Sequence, residues 1–306
     1  MTDYSKYIWH NNKIVNWDNA NTHVMSHVIH YGSGVFEGIK CYNTDFGPSI
    51  FKLDQHIDRL FESAEIYKIK IPFSKQEIIK GCIDVVRENQ LSDCYIRPIA
   101  FYGYDTLGVN PKKCPVNVSI AAFFWGAYLG DKGLKEGVRI CISPWEKFSY
   151  KAIPATAKAC GQYTNSMLSV NHAKENGYDE GLLLDSRGYV AEGSGQNIFI
   201  VKSGTVYTND DKSSILLGIT RKTILQLCEQ LEIPFRVKDI TVDELMDADE
   251  IFFTGTASEV TQVISVDDKD IKNGDIGSIT SKLKNLYMDI VFGKSDSHKS
   301  WLTIVK

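Results

Sequence analysis

The sequence predicts an α+β fold with two domains, in which helices alternate irregularly with largely antiparallel strands. Three observations support this prediction. A length of 306 residues is enough for two separate hydrophobic cores. Short runs rich in β-branched and aromatic residues recur between turn residues, which is typical of hairpins. Longer segments with apolar residues at helical spacing separate these runs without the regular alternation of a parallel sheet.

The first part of the chain is predicted to be a strand-rich domain with two helices. Asn11-Asn12 joins two short apolar runs, and asparagine tolerates the positive φ of a tight hairpin turn. Asp54 is the predicted N-cap of one helix, and Glu77 begins the second, which ends at Glu88. The apolar face of the first helix carries Ile57, Leu60, Ala64 and Tyr67. The predicted strands cover residues 7–9, 13–16, 24–29, 35–42, 95–102 and 116–124.

A domain junction is predicted at residues 126–137, which are rich in glycine and charge. The prediction is thus a small domain over 1–125, an interdomain loop over 126–137 and a large domain over 138–306. Turn sequences such as Asp185–Gly188 separate short apolar runs and indicate antiparallel sheet. The predicted strands of the large domain cover residues 138–143, 182–184, 189–191, 198–201, 206–208 and 250–253. Its predicted helices cover residues 162–177, 221–231 and 281–292.

Composition limits the possible functions and location. The formal net charge is -4 with 24% charged residues, so the clustered Lys and Arg of a nucleic-acid-binding surface are not expected. The N-terminus lacks the apolar core of a signal peptide, and the apolar run near Ile120 to Trp125 is too short to cross a bilayer. Seven scattered cysteines without a C-x-x-C pair indicate free thiols in a reducing compartment. We therefore expect a soluble cytoplasmic protein.

Several familiar motifs are incomplete. Gly32–Gly38 has glycines in the wrong spacing for a dinucleotide loop and no predicted βαβ unit around it. His23, His27 and His30 have helical metal-ligand spacing, but the apolar residues between them favour an extended segment that would place them on opposite faces. Because no nearby Cys or carboxylate completes a set, no metal site is predicted.

Lys158 has a distinctive setting among small residues, in Pro154-Ala-Thr-Ala-Lys158-Ala-Cys-Gly161. Most lysines are solvated surface groups with a pKa of about 10.4. Small neighbours leave room for a ligand to pack against the amine, and burial would lower its pKa and make it a nucleophile toward an aldehyde. This local pattern alone fits either a surface lysine or a reactive one.

The segment from Ala157 to Tyr163 resembles the cofactor-lysine segment of the branched-chain amino acid aminotransferases, which are fold-type IV enzymes dependent on pyridoxal 5'-phosphate (PLP). Further blocks match in the same order along nearly the whole chain. They are His30–Gly38, Tyr95–Pro98, Trp125–Tyr128, Glu192–Asn197, Leu217–Arg221 and Gly255–Glu259. The resemblance implies a smaller α/β sandwich domain followed by a larger pseudo-barrel-like α+β domain.

The resemblance implies a role for each residue around the cofactor. Lys158 would be the catalytic residue, which carries PLP and then moves a proton from the substrate Cα. Tyr163 would bind the phenolate oxygen of PLP, Glu192 the ring nitrogen and Arg59 the phosphate. The remaining cofactor-binding residues would be Asn197, Leu217, Ile219, Thr220 and Thr256. Ile219 and Thr220 lie at the start of the helix predicted over 221–231, where free N–H groups suit an anion.

The implied reaction transfers the amino group of L-leucine, L-isoleucine or L-valine to 2-oxoglutarate by a ping-pong mechanism and gives 2-oxo acids and L-glutamate. One pocket must then accept both apolar and carboxylate side chains. Arg97 is placed to meet the distal carboxylate of glutamate. The substrate-binding residues implied are Tyr31, Phe36, Gly38, Tyr95, Arg97, Trp125, Tyr128, Thr256 and Ala257. At least a homodimer is implied, because such enzymes complete each site with a loop from a neighbouring subunit.

Two alternatives share part of this pattern. A D-amino acid aminotransferase or an aminodeoxychorismate lyase would also use PLP, but Ile99 stands two residues after Arg97, where the former has a histidine. A non-catalytic binding protein could keep the fold, although Lys158, Glu192 and Arg59 are all retained. Cys160, Gln162 and Gln196 depart from residues frequent in the family and affect the expected fine substrate preference.

Overall fold

The computed structural model describes residues 5–126 and 128–306, so Ala127 of the Trp125–Tyr128 block lies outside the described residues. Two compact units are present. The first comprises the described residues of Met1–Trp125 with Ala157–Gln162 and Ile290–Lys306, and the second comprises those of Gly126–Thr156 with Tyr163–Asp289. Each unit thus draws on separated segments of chain, whereas the predicted domains are contiguous.

The described residues form strands and helices in a mixed order, which confirms the α+β prediction. The strands are Tyr7–His10 (β1), Lys13–Asn16 (β2), Gly34–Phe36 (β3), Ile39–Thr44 (β4), Gly47–Phe51 (β5), Cys94–Tyr102 (β6), Val116–Phe123 (β7), Val138–Glu146 (β8), Glu180–Leu184 (β9), Val190–Gly193 (β10), Asn197–Lys202 (β11), Thr205–Thr208 (β12), Phe235–Val237 (β13), Glu250–Gly255 (β14), Glu259–Val266 (β15), Lys269–Asp270 (β16) and Leu302–Ile304 (β17). The α-helices are His27–Tyr31 (α1), Leu53–Ile66 (α2), Lys75–Glu88 (α3), Gly130–Glu136 (α4), Tyr163–Glu175 (α5), Ile219–Gln230 (α6), Val242–Met246 (α7) and Ser278–Val291 (α8).

The first unit is built on an antiparallel sheet of eight described strands. The strand order is β17-β5-β4-β6-β7-β1-β2, and β3 also pairs with β6. Asn11 and Asn12 have φ of 46° and 64° in the β1–β2 turn, as predicted for this hairpin. The C-terminal β17 pairs with β5, which brings the end of the chain into this unit. The core lies between the sheet and helices α2 and α3 and includes Leu60, Val85 and Ile96.

Three local predictions for the first unit are wrong. The segment predicted to be extended at 24–29 contains helix α1, which ends where Gly32 adopts a φ of 60°. The preference of Val and Ile for strands is weak and yields to tertiary context. Helix α2 begins at Leu53 after Lys52, so Asp54 lies in its first turn rather than at the N-cap. The predicted strand 35–42 is divided into β3 and β4 at Glu37-Gly38.

The second unit contains a mixed sheet of nine described strands. Their order is β10-β9-β8-β15-β14-β11-β12-β13, and β16 pairs with β15. The predicted antiparallel run from β9 to β12 is confirmed. The connection β8–α5–β9 is a parallel crossover that the sequence pattern does not indicate. The unit's core includes Ile198, Phe253 and Val263.

Two helices of the second unit differ from the predictions in ways that matter for the site. Helix α6 begins at Ile219, two residues before the predicted start, with Gly218 as its N-cap. Helix α4 occupies most of the segment predicted to be an interdomain loop. Over the described ranges 5–126 and 128–306, no helix combines the length and apolar character that a membrane span requires.

Candidate active site

The backbone at Lys158 is held on both sides by elements of the first unit. The amide of Phe36 donates to the Lys158 carbonyl at 3.0 Å, and the Lys158 amide donates to Ser63 Oγ on α2, also at 3.0 Å. The neighbouring Ala159 forms an isolated antiparallel bridge with Val35. The lysine segment is therefore fixed against strand β3 and helix α2.

Two glycines allow the close approach of this segment to the chain after α1. A Cβ added at Gly32 would lie 2.6 Å from the Cα of Gly161, closer than packed atoms tolerate. The Gly161 amide donates to the Gly32 carbonyl at 3.2 Å. These glycines thus have a structural role that explains their position in two of the matched sequence blocks.

A buried charge cluster lies beside the lysine. Glu37, at the break between β3 and β4, is fully buried, and its Oε1 accepts from Arg59 Nε at 2.7 Å. Its Oε2 accepts from Arg59 Nη2 at 2.9 Å and lies 2.7 Å from His56 Nδ1, which must donate to it. Burial alone would raise the pKa of Glu37, but the charge of Arg59 and the contacts with His56 hold it well below the usual range.

The ammonium group of Lys158 lies over the ring of Phe36, 4.9 Å from its centroid. The residue keeps some solvent exposure, but protein atoms surround the amine densely. Desolvation is the largest cause that lowers the pKa of Lys158 to about 8, opposed by the negative charge of Glu37. A substantial fraction of the amine is therefore neutral, and hence nucleophilic, near physiological pH.

An aromatic wall surrounds the guanidinium of Arg97. The Cζ of Arg97 lies 4.8 Å from the centroid of Phe36, 5.2 Å from Tyr95 and 5.8 Å from Trp125. Its Nε is buried and has no hydrogen-bond partner among the described residues. A Cβ at Gly38 would lie 1.7 Å from the Tyr95 hydroxyl, so glycine is needed there for Tyr95 to reach this position. The wall thus combines apolar surface with one cation.

Tyr31, at the end of α1, is 46% exposed. Its hydroxyl donates to the carbonyl of Leu107 at 2.7 Å, and its ring packs against His27 with centroids 4.5 Å apart. Within this chain its hydroxyl therefore fastens the loop that follows β6, and much of the ring faces solvent.

In the second unit, Glu192 on β10 is buried and held by several donors. Its Oε1 lies 2.8 Å from Lys147 Nζ, and both side chains are less than a tenth exposed. Its Oε2 accepts from Asn197 Nδ2 at 3.2 Å and from the amide of Leu216 at 3.1 Å. This arrangement pairs a buried carboxylate with a buried lysine and gives both of its oxygens hydrogen-bond or ion-pair partners.

Asn197 connects this carboxylate to the start of helix α6. Its Nδ2 also donates to the Leu216 carbonyl at 2.7 Å, and its Oδ1 accepts from the amide of Gly218 at 3.1 Å. A Cβ at Gly218 would lie 2.1 Å from that oxygen, so only glycine fits. Ile219 and Thr220 then form the first turn of α6, where backbone N–H groups lack helical partners.

The other predicted residues of the second unit lie at element ends. Leu217 is 43% exposed just before α6. Thr256 and Ala257 are partly buried in the turn between β14 and β15. Tyr163 is partly buried and is the first residue of α5.

Tyr128 is connected to a second buried carboxylate. Ser194 Oγ donates to Glu180 Oε2 at 2.8 Å, so its 3.3 Å contact with the Tyr128 hydroxyl has Tyr128 as donor. Gln196 Nε2 donates to the same oxygen at 3.0 Å, and Glu180 Oε1 accepts from the Gly181 amide. Burial raises the pKa of Glu180, and these neutral donors offset the effect only in part.

The three histidines with metal-ligand spacing have other partners. His23 stacks on Tyr104, and His30 Nε2 lies 3.1 Å from the Val24 carbonyl. His27 Nδ1 lies 2.7 Å from Ser33 Oγ. His27 and His30 both lie in helix α1, so the expected extended conformation is wrong. Across residues 5–126 and 128–306, no group of three or more His, Cys, Asp or Glu side chains is arranged to hold a metal ion.

Comparisons with known proteins agree along the chain. A sequence model of the class IV amino-transferases matches residues 34–266. A branched-chain-amino-acid aminotransferase of Pseudomonas aeruginosa is 45% identical over 100% of this chain and 99% of its own length. The crystal structure of the Escherichia coli branched-chain amino acid aminotransferase has a TM-score of 0.97 at 41% identity, covering 99% of this chain and 100% of that one. The T.th. branched-chain amino acid aminotransferase in complex with N-(5'-phosphopyridoxyl)-L-glutamate has a TM-score of 0.94 at 40% identity, with 99% of each chain covered.

The chain belongs to the class IV aminotransferases, in the branched-chain-amino-acid aminotransferase family. The fold expected from the resemblance is confirmed, and the protein is an aminotransferase. In the first unit of this aminotransferase, the residues named from the sequence that lie in one neighbourhood are Phe36, Gly38, Arg59, Tyr95, Arg97, Trp125 and Lys158.

Several residues that contact the predicted site residues were not identified from the sequence. Glu37 lies within a matched block, but its role as the partner of Arg59 depends on two elements meeting in space. His56, Arg59 and Ser63 are spaced to share one face of α2, a signal that could have identified the cluster. Lys147 and Glu180 carry no local signal, because their partners Glu192 and Ser194 lie far along the chain.

Proposed function

We propose that this aminotransferase transfers the amino group of L-leucine, L-isoleucine and L-valine to 2-oxoglutarate by a ping-pong mechanism. The observation that carries the proposal is the Arg97 guanidinium within an aromatic wall beside the Lys158 amine. Phe36, Tyr95 and Trp125 offer apolar surface to a branched side chain, and Arg97 offers charge-assisted donors to a carboxylate. The T.th. relative binds a compound that contains L-glutamate, which supports a dual-substrate pocket.

Its cofactor is pyridoxal 5'-phosphate. When bound, this group supplies an aldehyde and an electron-accepting ring. The residues present fit it, since Lys158 is a desolvated amine and Glu192 a buried, paired carboxylate. Among the described side chains, Arg97 Nε is a buried donor without a partner, as a site for an anionic substrate requires.

The roles of individual residues follow from this chemistry. Lys158 would attach the cofactor and hold the proton removed from the substrate Cα. Glu192, ordered by Lys147 and Asn197, would accept from the protonated ring nitrogen, and Tyr163 would donate to the phenolate oxygen. The phosphate would be bound by the Arg59 guanidinium, the Leu217, Ile219 and Thr220 segment at the start of α6, and Thr256.

The remaining substrate contacts are proposed for residues at the edge of the pocket. Gly38 leaves the space that Tyr95 occupies, and Tyr128, oriented by Ser194, adds a ring and a hydroxyl. The amides of Thr256 and Ala257 would bind the substrate's α-carboxylate. Tyr31 would complete the pocket of a neighbouring subunit rather than its own, because its ring faces solvent in this chain.

Initial rates with a panel of donors test the proposal. With 2-oxoglutarate as acceptor, L-leucine, L-isoleucine and L-valine should each give L-glutamate, and D-alanine should not. With L-leucine alone, the enzyme should release one equivalent of 2-oxo acid per active site before acceptor is added, as a ping-pong mechanism requires. Activity with D-alanine only would reject the substrate assignment, and no release without acceptor would reject the mechanism.

We also propose that the enzyme is at least a homodimer. Large apolar side chains are exposed in and beside α1 and in the loop after β6, where Tyr31 and His27 fasten that loop to α1. They are Val24, Ile29, Tyr104, Leu107 and Val109, with exposures from 39% to 78%. Contiguous exposed apolar surface is typical of an interface.

Sedimentation velocity should show that the wild-type protein is at least a dimer. The double substitution Ile29→Lys with Val109→Asp should shift the protein toward monomer, and a monomeric wild type would contradict the proposal.

A cytoplasmic location is proposed from the sequence. The cysteines of the described chain are free thiols, and all are buried except Cys160, which is partly buried. A protein with this many unpaired thiols suits a reducing compartment. Fractionation of cells that express it would test the location, and recovery from an oxidising compartment would contradict it.

A further inference from the structure

The Glu37 carboxylate accepts hydrogen bonds from two side chains of helix α2 and, at 3.3 Å, from the amide of Gly38. Oε1 accepts from Arg59 Nε, and Oε2 accepts from Arg59 Nη2 and from His56 Nδ1, all within 2.9 Å. Two donors of the guanidinium are thereby committed to one carboxylate in a bidentate arrangement. Such a pair fixes the plane and direction of an arginine more tightly than a single contact does.

The same two elements that hold this pair also hold the lysine backbone. Glu37 follows Phe36, whose amide holds the Lys158 carbonyl. Arg59 and Ser63 lie one turn apart on α2, and Ser63 Oγ accepts from the Lys158 amide. A change in the contacts between Glu37 and α2 would therefore alter the positions of both Arg59 and Lys158.

The charged groups around the Lys158 amine are few. Burial lowers its pKa most; Glu37 and Tyr95 act to raise it, and Arg59 and Arg97 act to lower it. His56 faces Glu37, Arg59 and Lys158, and burial lowers its own pKa, so it donates to Glu37 as a neutral ring at pH 7. Glu37 is the carboxylate of this set, and it lies against Arg59 rather than against the lysine itself.

We propose that Glu37, oriented by His56, is a positioning residue for this aminotransferase: it fixes the Arg59 guanidinium for an anionic group and balances charge around Lys158. The proposal rests on the proposed function, in which Arg59 holds the cofactor phosphate. Glu37 itself contacts neither substrate nor cofactor. Without its charge, Arg59 would be a buried, mobile cation next to the amine that must lose a proton.

A labelling experiment separates this role from a merely structural one. The full-length, cofactor-free protein is treated with acetic anhydride across a pH series, and acetylation of Lys158 is followed by mass spectrometry. Glu37→Gln should lower the midpoint of Lys158 labelling by about one pH unit, because a negative charge is lost. Arg59→Met should raise it by a similar amount. Opposite shifts are not expected from a general loosening of structure.

Glu250→Gln is the matched control. Glu250 is a buried carboxylate of the second unit that accepts from Thr280 and Ile279 at the start of α8. Its removal should leave the Lys158 midpoint unchanged. A Glu37→Gln protein with native circular dichroism and an unshifted midpoint would overturn the proposal. If Glu37→Gln does not fold, Arg59→Met decides, and a midpoint that fails to rise would overturn it.

The holoenzyme gives a second readout that does not depend on turnover. During dialysis, Glu37→Gln should lose cofactor absorbance about tenfold faster than wild type, although Arg59 is retained; cofactor retention equal to wild type would overturn the positioning of Arg59. Labelling involves neither cofactor nor substrate. The labelling midpoints therefore measure the effect of Glu37 on the Lys158 amine whether or not the proposed substrates are correct.

Discussion

Glu37 in the first unit and Glu180 in the second are equally buried, with no exposed surface, yet their pKa values shift in opposite directions. Burial raises the pKa of both. Glu37 faces the Arg59 guanidinium, whose charge outweighs burial, whereas Glu180 is held by Ser194, Gln196 and a backbone amide. The charge of the donors, rather than their number, therefore decides the sign of the shift.

Two further groups extend this comparison. Glu192 is paired with the buried Lys147 and so resembles Glu37. Arg97 differs from both carboxylates. It is a cation surrounded by aromatic rings, and its buried Nε has no hydrogen-bond partner among the described residues. A carboxylate from outside the chain would complete its surroundings.

The largest effect is expected from Lys158→Ala, which removes the amine from the Glu37–Arg59 cluster. We expect transamination to fall at least about 10³-fold, since both cofactor attachment and proton transfer are lost. Visible absorbance and initial rates measure this. Lys151→Ala removes an exposed lysine of the same region and should leave both unchanged. Substantial activity in Lys158→Ala would remove the basis of the mechanism.

Lys147→Met would convert Glu192 into a buried carboxylate with only neutral donors, as at Glu180. Because Glu192 would lose its counter-ion, we expect about 3 kcal/mol of destabilisation and weaker cofactor binding. Thermal unfolding and cofactor titration measure the two effects. Lys202→Met, which removes a partly exposed lysine paired with Asp247, should change stability by less than about 0.5 kcal/mol. Equal effects of both substitutions would contradict the comparison.

Arg97→Met tests whether the Arg97 guanidinium binds the distal carboxylate of 2-oxoglutarate. The kcat/KM for 2-oxoglutarate should fall about 30-fold, or about 2 kcal/mol, since a charge-assisted contact is lost. The half-reaction with L-leucine should change less than about threefold. Arg139→Met, at a surface ion pair, should affect neither. A parallel fall for both substrates would show that Arg97 only supports the aromatic wall.

Glu180→Gln should give the smallest effect, in the pH dependence of stability. The raised folded pKa means that wild type loses stability as pH rises from about 4.5 through that folded value. The variant lacks this loss, so its stability relative to wild type should improve as pH rises above about 4.5. Thermal unfolding across this range measures it.

The exposed Glu62→Gln is the control for that series and should show no trend. A relative stability of Glu180→Gln that declines with rising pH would contradict the assigned direction. Glu37 should behave in the opposite sense, because its lowered pKa stabilises the fold above about pH 4.5 and this contribution is lost as pH falls.

Local signals in the sequence predicted the elements whose causes are themselves local. The Asn11-Asn12 hairpin and the antiparallel run from β9 to β12 follow from turn residues and alternation. The predictions failed where a distant segment decided the outcome. At the break between β3 and β4, the side chain of the distant Tyr95 occupies the space beside Gly38. At His27–Tyr31, a helix forms from residues that favour strands.

The sequence by itself determined the family, the reactive lysine segment and the residue types available to a phosphate and an anionic substrate, because these are carried by short ordered motifs. Only the tertiary structure showed that Glu37 pairs with Arg59, that Lys147 pairs with Glu192 and that β17 pairs with β5. It also decided that the pKa of Lys158 falls to about 8. Desolvation and Coulomb interactions depend on distances between side chains, which the order of residues does not state.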